Sequence, residues 1–267
     1  MTDTLPAGDV LIDGLRGVLD APADLADLAD LADLADLAGP ASRLGWDLRR
    51  PHRAIALYYD GPAPARWAGA LSRLGRPVSR EGRYAWTLVP GSDDTAELRQ
   101  IRTQLGTSGA ADDVLAASGP VAHGVEQTRT SFDEADRLLR LCRSRDRTRE
   151  MPYSHAGLAQ LLVGVPAGRL EEFAGDHLRP LLDRPDLLET LAAWLDSGGS
   201  RRVVSERLHL HRNSVGYRVA SIRRLLGYDP LDPALAPALS AALLAGEIVR
   251  SRQILAVSGV PAGVSPT

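Results

Sequence analysis

The stretch from residue 200 to residue 227 constrains the fold of this chain more than any other. Ser200 follows a glycine pair and is suited to cap a short helix. Residues 209–211 are too few to form a strand, and they predict a turn that places Leu210 in the core. A second helix is predicted from Arg212, because apolar residues then recur at helical spacing: Val215, Val219, Ile222 and Leu226. The stretch therefore predicts two short helices joined by a tight turn.

The second helix carries hydrogen-bond donors away from its apolar face, namely Arg212, Asn213, Tyr217, Arg218 and Arg224. Between residues 200 and 227, seven arginines stand against Glu206 alone, a local charge of +6 on a chain whose net charge is −3. Phosphate neutralisation requires positive charge to be local, so this basic segment indicates nucleic-acid binding. A helical hairpin with a solvated arginine face is the alternative.

The run from Leu208 to Val219, with Ile222 and residues 225–227, resembles the C-terminal helix-turn-helix of PucR/CdaR-type bacterial transcriptional regulators. That domain is similar to the Fis-type helix-turn-helix. The resemblance covers residues 186–247 and implies a DNA-binding domain over 186–250 whose helix 212–226 reads the major groove. It also implies a sequence-specific regulator that binds double-stranded DNA as a homodimer. Gly216 stands where the family usually has a side chain, and it either softens the helix or allows close approach to the DNA backbone.

Eight residues form the predicted DNA-contact set: Arg201, Arg202, His211, Arg212, Asn213, Ser214, Tyr217 and Arg218. Arginine suits guanine O6 and N7, asparagine suits adenine, and serine and tyrosine favour phosphates. Three alternatives stay open at this point. Ser214 is equally suited to the start of the helix, Arg201 and Arg202 to a solvated surface, and His211 to a helix cap.

Residues 50–150 alternate between strand and helix patterns, which predicts an α+β fold of the ferredoxin-like kind followed by the all-α helix-turn-helix domain. The predicted order is strand, helix, hairpin, helix, strand, helix, at residues 54–59, 65–74, 77–80 with 83–89, 94–105, 113–117 and 131–143. Ser131 is predicted to cap the last helix, because Ser131-Phe132-Asp133-Glu134 has the form of a capping box.

This region resembles, more loosely, the degenerate GGDEF-like domain of the same family, chiefly through Gly119–Val121 and Ser131–Leu139. Active cyclases of that fold carry an acidic motif on the central hairpin, where this chain has Arg80-Glu81-Gly82-Arg83. Asp60 matches one metal ligand, but the rest of the carboxylate set that two-metal chemistry needs is missing. The resemblance therefore implies a dimerisation or signal-relay module, with no enzyme activity, catalytic residue, metal or cofactor. A nucleotide or cyclic-dinucleotide sensor or enzyme acting through this domain is the alternative.

The remaining segments are assigned by composition. Residues 1–45 form a helical segment with a low-complexity Ala-Asp-Leu repeat, 151–185 a helical connector, and 251–267 a mobile tail. Residues 237–249 are predicted as a closing helix that covers the small core or joins a dimer interface.

Three features point to the cytoplasm. Cys142 is the single cysteine, which excludes a disulfide within the chain. No apolar run approaches the ~18 residues of a membrane span. Residues 1–20 lack the basic and apolar regions of a signal peptide. We therefore expect a cytoplasmic protein with no membrane partner; an effector, if there is one, is unknown.

Overall fold

The structure is a computed structural model that describes residues 7–16, 38–43, 46–91, 93–106, 113–144 and 149–256. Most of the Ala-Asp-Leu repeat and the end of the predicted tail lie outside the described residues. The chain divides into two units, Met1–Val163 with Ile254–Thr267, and Gly164–Gln253. The division falls inside the predicted connector.

The first unit is built on a five-stranded sheet. Its elements are α1 (Ala7–Arg16), α2 (Ala38–Arg43), β1 (His52–Tyr59), α3 (Pro64–Leu71), β2 (Val78–Glu81), β3 (Tyr84–Pro90), α4 (Asp94–Gly106), β4 (Val114–Ser118), α5 (Gly124–Arg143), β5 (Glu150–Met151) and α6 (Ala159–Leu162). The strand order is β2-β3-β1-β4-β5. Among the strands that the structure describes, only the β4–β5 pair is parallel, and β1 lies between β3 and β4, with Ile55 opposite Thr87 and Ser118. The first four strands thus have the ferredoxin-like arrangement, and the predicted α+β fold is confirmed.

Side chains along β1 alternate between the two faces of the sheet, and because both faces are apolar, helices pack on each of them. Ile55, Leu57 and Tyr59 join a core cluster with Trp67 of α3 and with α4. The opposite face, which includes Ala54 and Ala56, is covered by α5, and α1 packs beside it against β2 and α5.

The prediction that Ser131 caps the last helix is wrong, because α5 begins at Gly124. Gly124 has φ of 76°, which lets the chain enter the helix directly after Ala122, and the Gln127 side chain accepts the His123 N–H at 2.9 Å. Ser131 is instead buried inside the helix, where its hydroxyl donates to the Pro120 carbonyl at 2.7 Å and accepts the Ala54 N–H at 3.0 Å.

A buried carboxylate joins three segments of the first unit. Asp94 is 2% exposed and accepts hydrogen bonds from the Ser118 hydroxyl at 2.9 Å and from the Ser154 N–H and hydroxyl at 2.9 and 2.6 Å. The Arg53 guanidinium lies 3.8 Å away. Burial raises the pKa of Asp94, but these donors and the nearby charge outweigh burial and lower it below 3.8 overall. The ionised carboxylate therefore holds α4, β4 and the turn at Ser154 together.

The second unit contains α7 (Ala167–Leu178), α8 (Pro185–Asp196), α9 (Arg201–Arg207), α10 (Arg212–Leu226) and α11 (Ala236–Ala256), the last of which ends in the first unit's segment. One core cluster joins Leu178 and Leu181 to Leu191, Ile222 and Leu239. A second cluster joins α8, α9 and α10. The closing helix α11 continues past its predicted end at residue 249, so residues 251–256 of the predicted tail are helical.

Candidate nucleic-acid interface

The first helix of the pair, α9, forms as the sequence predicts. The Ser200 side chain accepts the Val203 N–H, so Ser200 is the N-cap. In the turn that follows, the Leu210 N–H donates to the Ser205 carbonyl at 3.0 Å, and Leu210 packs partly buried against the core cluster of α8, α9 and α10. His209 adopts the left-handed backbone, with φ of 52°, and is the one non-glycine residue in the described ranges to do so.

The second helix, α10, is fixed at both ends. Its N-cap is His211, whose Nδ1 accepts the Asn213 N–H at 3.2 Å, and Gly227 ends it in the left-handed conformation. Val215 and Ile222 are fully buried and Val219 is 3% exposed. The predicted apolar face therefore packs into the unit and leaves the opposite face outside.

The outer faces of α9 and α10 form one groove of about 1060 Å³. It is lined by Arg201, Arg202, Ser205, Glu206, Arg212, Asn213, Gly216, Tyr217 and Ala220. Five of the eight predicted contact residues thus share a single surface: Arg201, Arg202, Arg212, Asn213 and Tyr217. Residues 201–206 of α9 and 212–220 of α10 thus line one surface, which sequence spacing alone does not establish.

Most polar groups of this groove are unused by the fold. The Arg201 and Arg212 guanidinium groups and the Asn213 side-chain amide are exposed and make no hydrogen bond or ion pair with other residues that the structure describes. Tyr217 is 77% exposed. Arg202 contacts Glu206 at 3.0 Å across an exposed turn of α9, a pair that contributes little to stability. The groove therefore presents donors that are available to a ligand.

The other three predicted contact residues lie elsewhere on α10. His211 is the helix cap described above, and Ser214 is half-buried in the first turn, outside the groove. Arg218 points toward α8, where its Nη1 lies 3.3 Å from the Thr190 hydroxyl and 3.4 Å from the Asp186 carbonyl, and its Nε lies 3.7 Å from the Asp186 carboxylate.

The local charge of +6 counted over residues 200–227 overstates the positive charge that is available for binding DNA. Arg207 pairs with Asp196 and Arg223 with Asp229, both at 2.8 Å. These aspartates, like Asp186, lie outside residues 200–227, so a local charge count misses them. The ion pairs that these arginines form within the second unit are therefore not visible in a charge count from the sequence.

The first unit has a smaller groove of about 590 Å³, in which Arg50 lies 3.7 Å from Asp47 and Arg76 lies 3.7 Å from Glu97. Within the part of this unit that the structure describes, no group of three or more His, Cys, Asp or Glu side chains is placed to hold a metal ion. Asp60 lies 3.9 Å from Arg149, on an exposed surface. Among the described helices, none combines the length and apolar character that crossing a membrane requires.

Two family models match the chain. Residues 187–245 match the PucR C-terminal helix-turn-helix domain, and residues 29–141 match the GGDEF-like domain. The matched helix-turn-helix region contains α8 from Leu187 onward, α9, α10 and the groove, and the GGDEF-like region contains the first four strands of the sheet.

Similar proteins include uncharacterized proteins of Mycobacterium bovis and of two strains of Mycobacterium tuberculosis. Each is 30% identical over 223 residues, which is 78% of this chain and 53% of the relative. The chain therefore spans about half the length of these curated relatives. Among solved structures, a regulator of polyketide synthase expression from Bifidobacterium adolescentis aligns over 94% of this chain and 95% of its own, with 18% identity and a TM-score of 0.42.

Proposed function

The chain belongs to the PucR/CdaR-type regulators, and from this premise we propose that it is a transcriptional regulator that binds double-stranded DNA through the groove of α9 and α10. One observation carries the proposal. Arginines and an asparagine that have no partner among the described residues line the same exposed groove, inside the matched helix-turn-helix domain. A polyanion with hydrogen-bonding base edges suits both the charge and the donors.

In this proposal α10 lies in the major groove, with its first turn toward the bases, as recognition helices do. Arg212 and Asn213 read base edges, since they are the exposed groove residues nearest the start of the helix. Arg201 and Arg202 contact phosphates from the start of α9. Tyr217, about one turn after Asn213 on α10, contacts the sugar-phosphate backbone.

Three residues of the predicted set receive other roles. The cap made by His211 uses Nδ1 as acceptor, which leaves Nε2–H as a donor toward a phosphate. Ser214, half-buried in the first turn of α10, is assigned to the start of that helix and not to DNA contact. We assign Arg218 to positioning α10 on α8, because its guanidinium is directed at Asp186 and Thr190.

The protein is proposed to act as a homodimer in the cytoplasm, without enzyme activity. Two helix-turn-helix units about a two-fold axis would read half-sites about 34–36 Å apart. The GGDEF-like domain would serve dimerisation or signal relay. Its hairpin supports a non-enzymatic role, because Arg80 and Arg83 stand beside a single carboxylate, Glu81.

The test uses a DNA probe that the protein itself selects, so the operator sequence need not be identified first. A pool of short random-sequence duplexes is enriched over several rounds on the full-length wild-type protein, and the product is called the enriched duplex. Affinity for it is then measured for wild type and for Arg212→Ala/Asn213→Ala. Each lost base contact costs about 1–3 kcal/mol, so we expect a drop of at least about thirtyfold with unchanged melting.

The matched control is Arg169→Ala, which removes one exposed arginine from α7 in the same unit but outside the groove. We expect it to bind as wild type. The proposal would be wrong if the wild-type protein enriched no duplex, or if the double variant and wild type bound the enriched duplex equally.

A further inference from the structure

We infer that Gly216 is the point at which the backbone of α10 itself meets the base edges of the DNA. This inference rests on the proposed function and adds a specificity-determining position to it. It concerns the one residue of the groove that has no side chain.

Nothing within the fold requires a glycine at this position. Beyond the adjoining backbone of α10, a Cβ built on Gly216 would meet no heavy atom of the described residues within 4 Å, so none of them excludes a side chain. The backbone is helical there and does not adopt the left-handed conformation that favours glycine. Glycine is nevertheless among the poorest residues for a helix interior. The residue therefore weakens the helix without giving the isolated chain a packing advantage in return.

The structure does not support the view that Gly216 makes α10 soft. The helix is continuous from Arg212 to Leu226 and is capped at both ends. Val215 is fully buried and Val219 is 3% exposed, so core residues hold the helix on both sides of the glycine. The space beside Gly216 is therefore available to a partner outside the chain.

The position of Gly216 in the groove identifies that partner. Arg212, Gly216 and Ala220 are spaced by four residues and follow one line along the helix, and all three line the groove. A surface that contacts Arg212 and continues along the helix must pass over Gly216. The groove carries Arg201, Arg202 and Arg212 against Glu206, so the surface that suits it is negatively charged. DNA meets both conditions, and without a Cβ the helix axis can lie closer to the floor of the major groove.

The experiment compares helix stability with DNA affinity in the full-length protein. Gly216→Ala and Gly216→Leu are made together with Gly175→Ala, a matched control in α7 whose added Cβ also meets nothing within 4 Å. Both alanine variants should raise the melting temperature of the second unit by roughly 4 °C, because alanine favours the helix. Only the Gly216 variants should lose affinity for the enriched duplex, by about tenfold for alanine and by more for leucine.

A third measurement separates base edges from phosphates. Affinity for the unenriched random pool should change by less than about twofold in Gly216→Ala, because phosphate contacts carry no sequence information. Equal losses on both DNAs would place the contact on the backbone and overturn the inference. A Gly216→Ala protein that melts at a higher temperature but binds the enriched duplex as wild type does would also overturn the inference. In that case the proposed function would still stand if Arg212→Ala/Asn213→Ala lost binding. If wild type enriches no duplex, both are wrong.

Discussion

The two units use their charged side chains in opposite ways. In the first unit, Arg53 and Asp94 are buried, with side-chain exposures of 9% and 2%, and Asp94 joins three segments. In the second unit, the side chains of Arg201 and Arg212 are exposed and make no polar contact with other described residues. A buried charge must be paired to be tolerated, so it reports on the fold. An exposed charge that the fold does not use is available to a ligand.

Both uses also occur side by side on α10. Arg212 lines the open groove, whereas Arg218, less than two turns later, is directed toward α8. Residue type and helix position alone do not distinguish them. The presence or absence of an intramolecular acceptor does, and substitutions can test whether that distinction holds.

The largest effect on stability is expected for Asp94→Ala. Removing the carboxylate leaves the Ser118 and Ser154 donors without their acceptor and should cost about 3 kcal/mol of unfolding free energy in the first unit. Because the folded-state pKa of Asp94 is lowered from 3.8, its contribution is full above that pH and is lost as pH falls further. Urea unfolding at neutral pH should therefore show the full difference.

The control for that prediction is Asp93→Ala. Asp93 is exposed, and among the described residues its carboxylate accepts only the Ala96 N–H, at 2.9 Å, so its loss should cost about 1 kcal/mol. Affinity of the folded protein for the enriched duplex should be unchanged in both variants. Equal destabilisation by the two variants would show that burial does not distinguish these neighbours.

A smaller, mixed effect is expected for Arg218→Ala. Loss of the contacts to Asp186 and Thr190 should destabilise the second unit by about 1 kcal/mol, since the site is partly exposed. DNA affinity should fall severalfold because α10 is less well positioned, but its dependence on salt should stay the same. A salt slope reduced by about 1 would instead make Arg218 a phosphate contact, and so a member of the DNA-contact set that the sequence predicted. Arg224→Ala, an exposed neighbour on the same helix, serves as the stability control.

The smallest effect is expected in the turn between α9 and α10. His209 has φ of 52°, which disfavours any residue with a Cβ, so His209→Gly should stabilise the second unit by about 0.5 kcal/mol. His209→Ala keeps the Cβ and should give no gain. Thermal unfolding of the two variants compares them directly, and an identical shift in both would mean that the imidazole, not the backbone, determines the change.

Local pattern was sufficient for much of this fold. The cap at Ser200, the buried face of α10 and the order of strands and helices from β1 to α5 all follow from spacing within a few residues. The start of α5 did not, because Ser131 forms a convincing capping box in sequence, yet the helix begins at Gly124. The positive φ at Gly124 depends on the tertiary structure, so amino-acid composition does not reveal it.

The candidate site divides in the same way. The exposed positions Arg212, Asn213 and Tyr217 follow from the helical period, since they lie opposite the buried residues. The role of Arg218 does not, because its partner Asp186 is 32 residues away in sequence. Long-range pairing decides which arginines remain available, and that pairing becomes visible only once α8 is placed against α10.

The most direct test of the central claim compares arginines that the fold uses with arginines that it does not. Affinity for the enriched duplex is measured over a series of salt concentrations for Arg201→Ala and Arg212→Ala, and for Arg207→Ala and Arg223→Ala, whose side chains pair with Asp196 and Asp229. We predict a loss of roughly tenfold for each of the first two variants and less than about threefold for the others. Equal losses in all four, or larger losses in the paired set, would contradict the account.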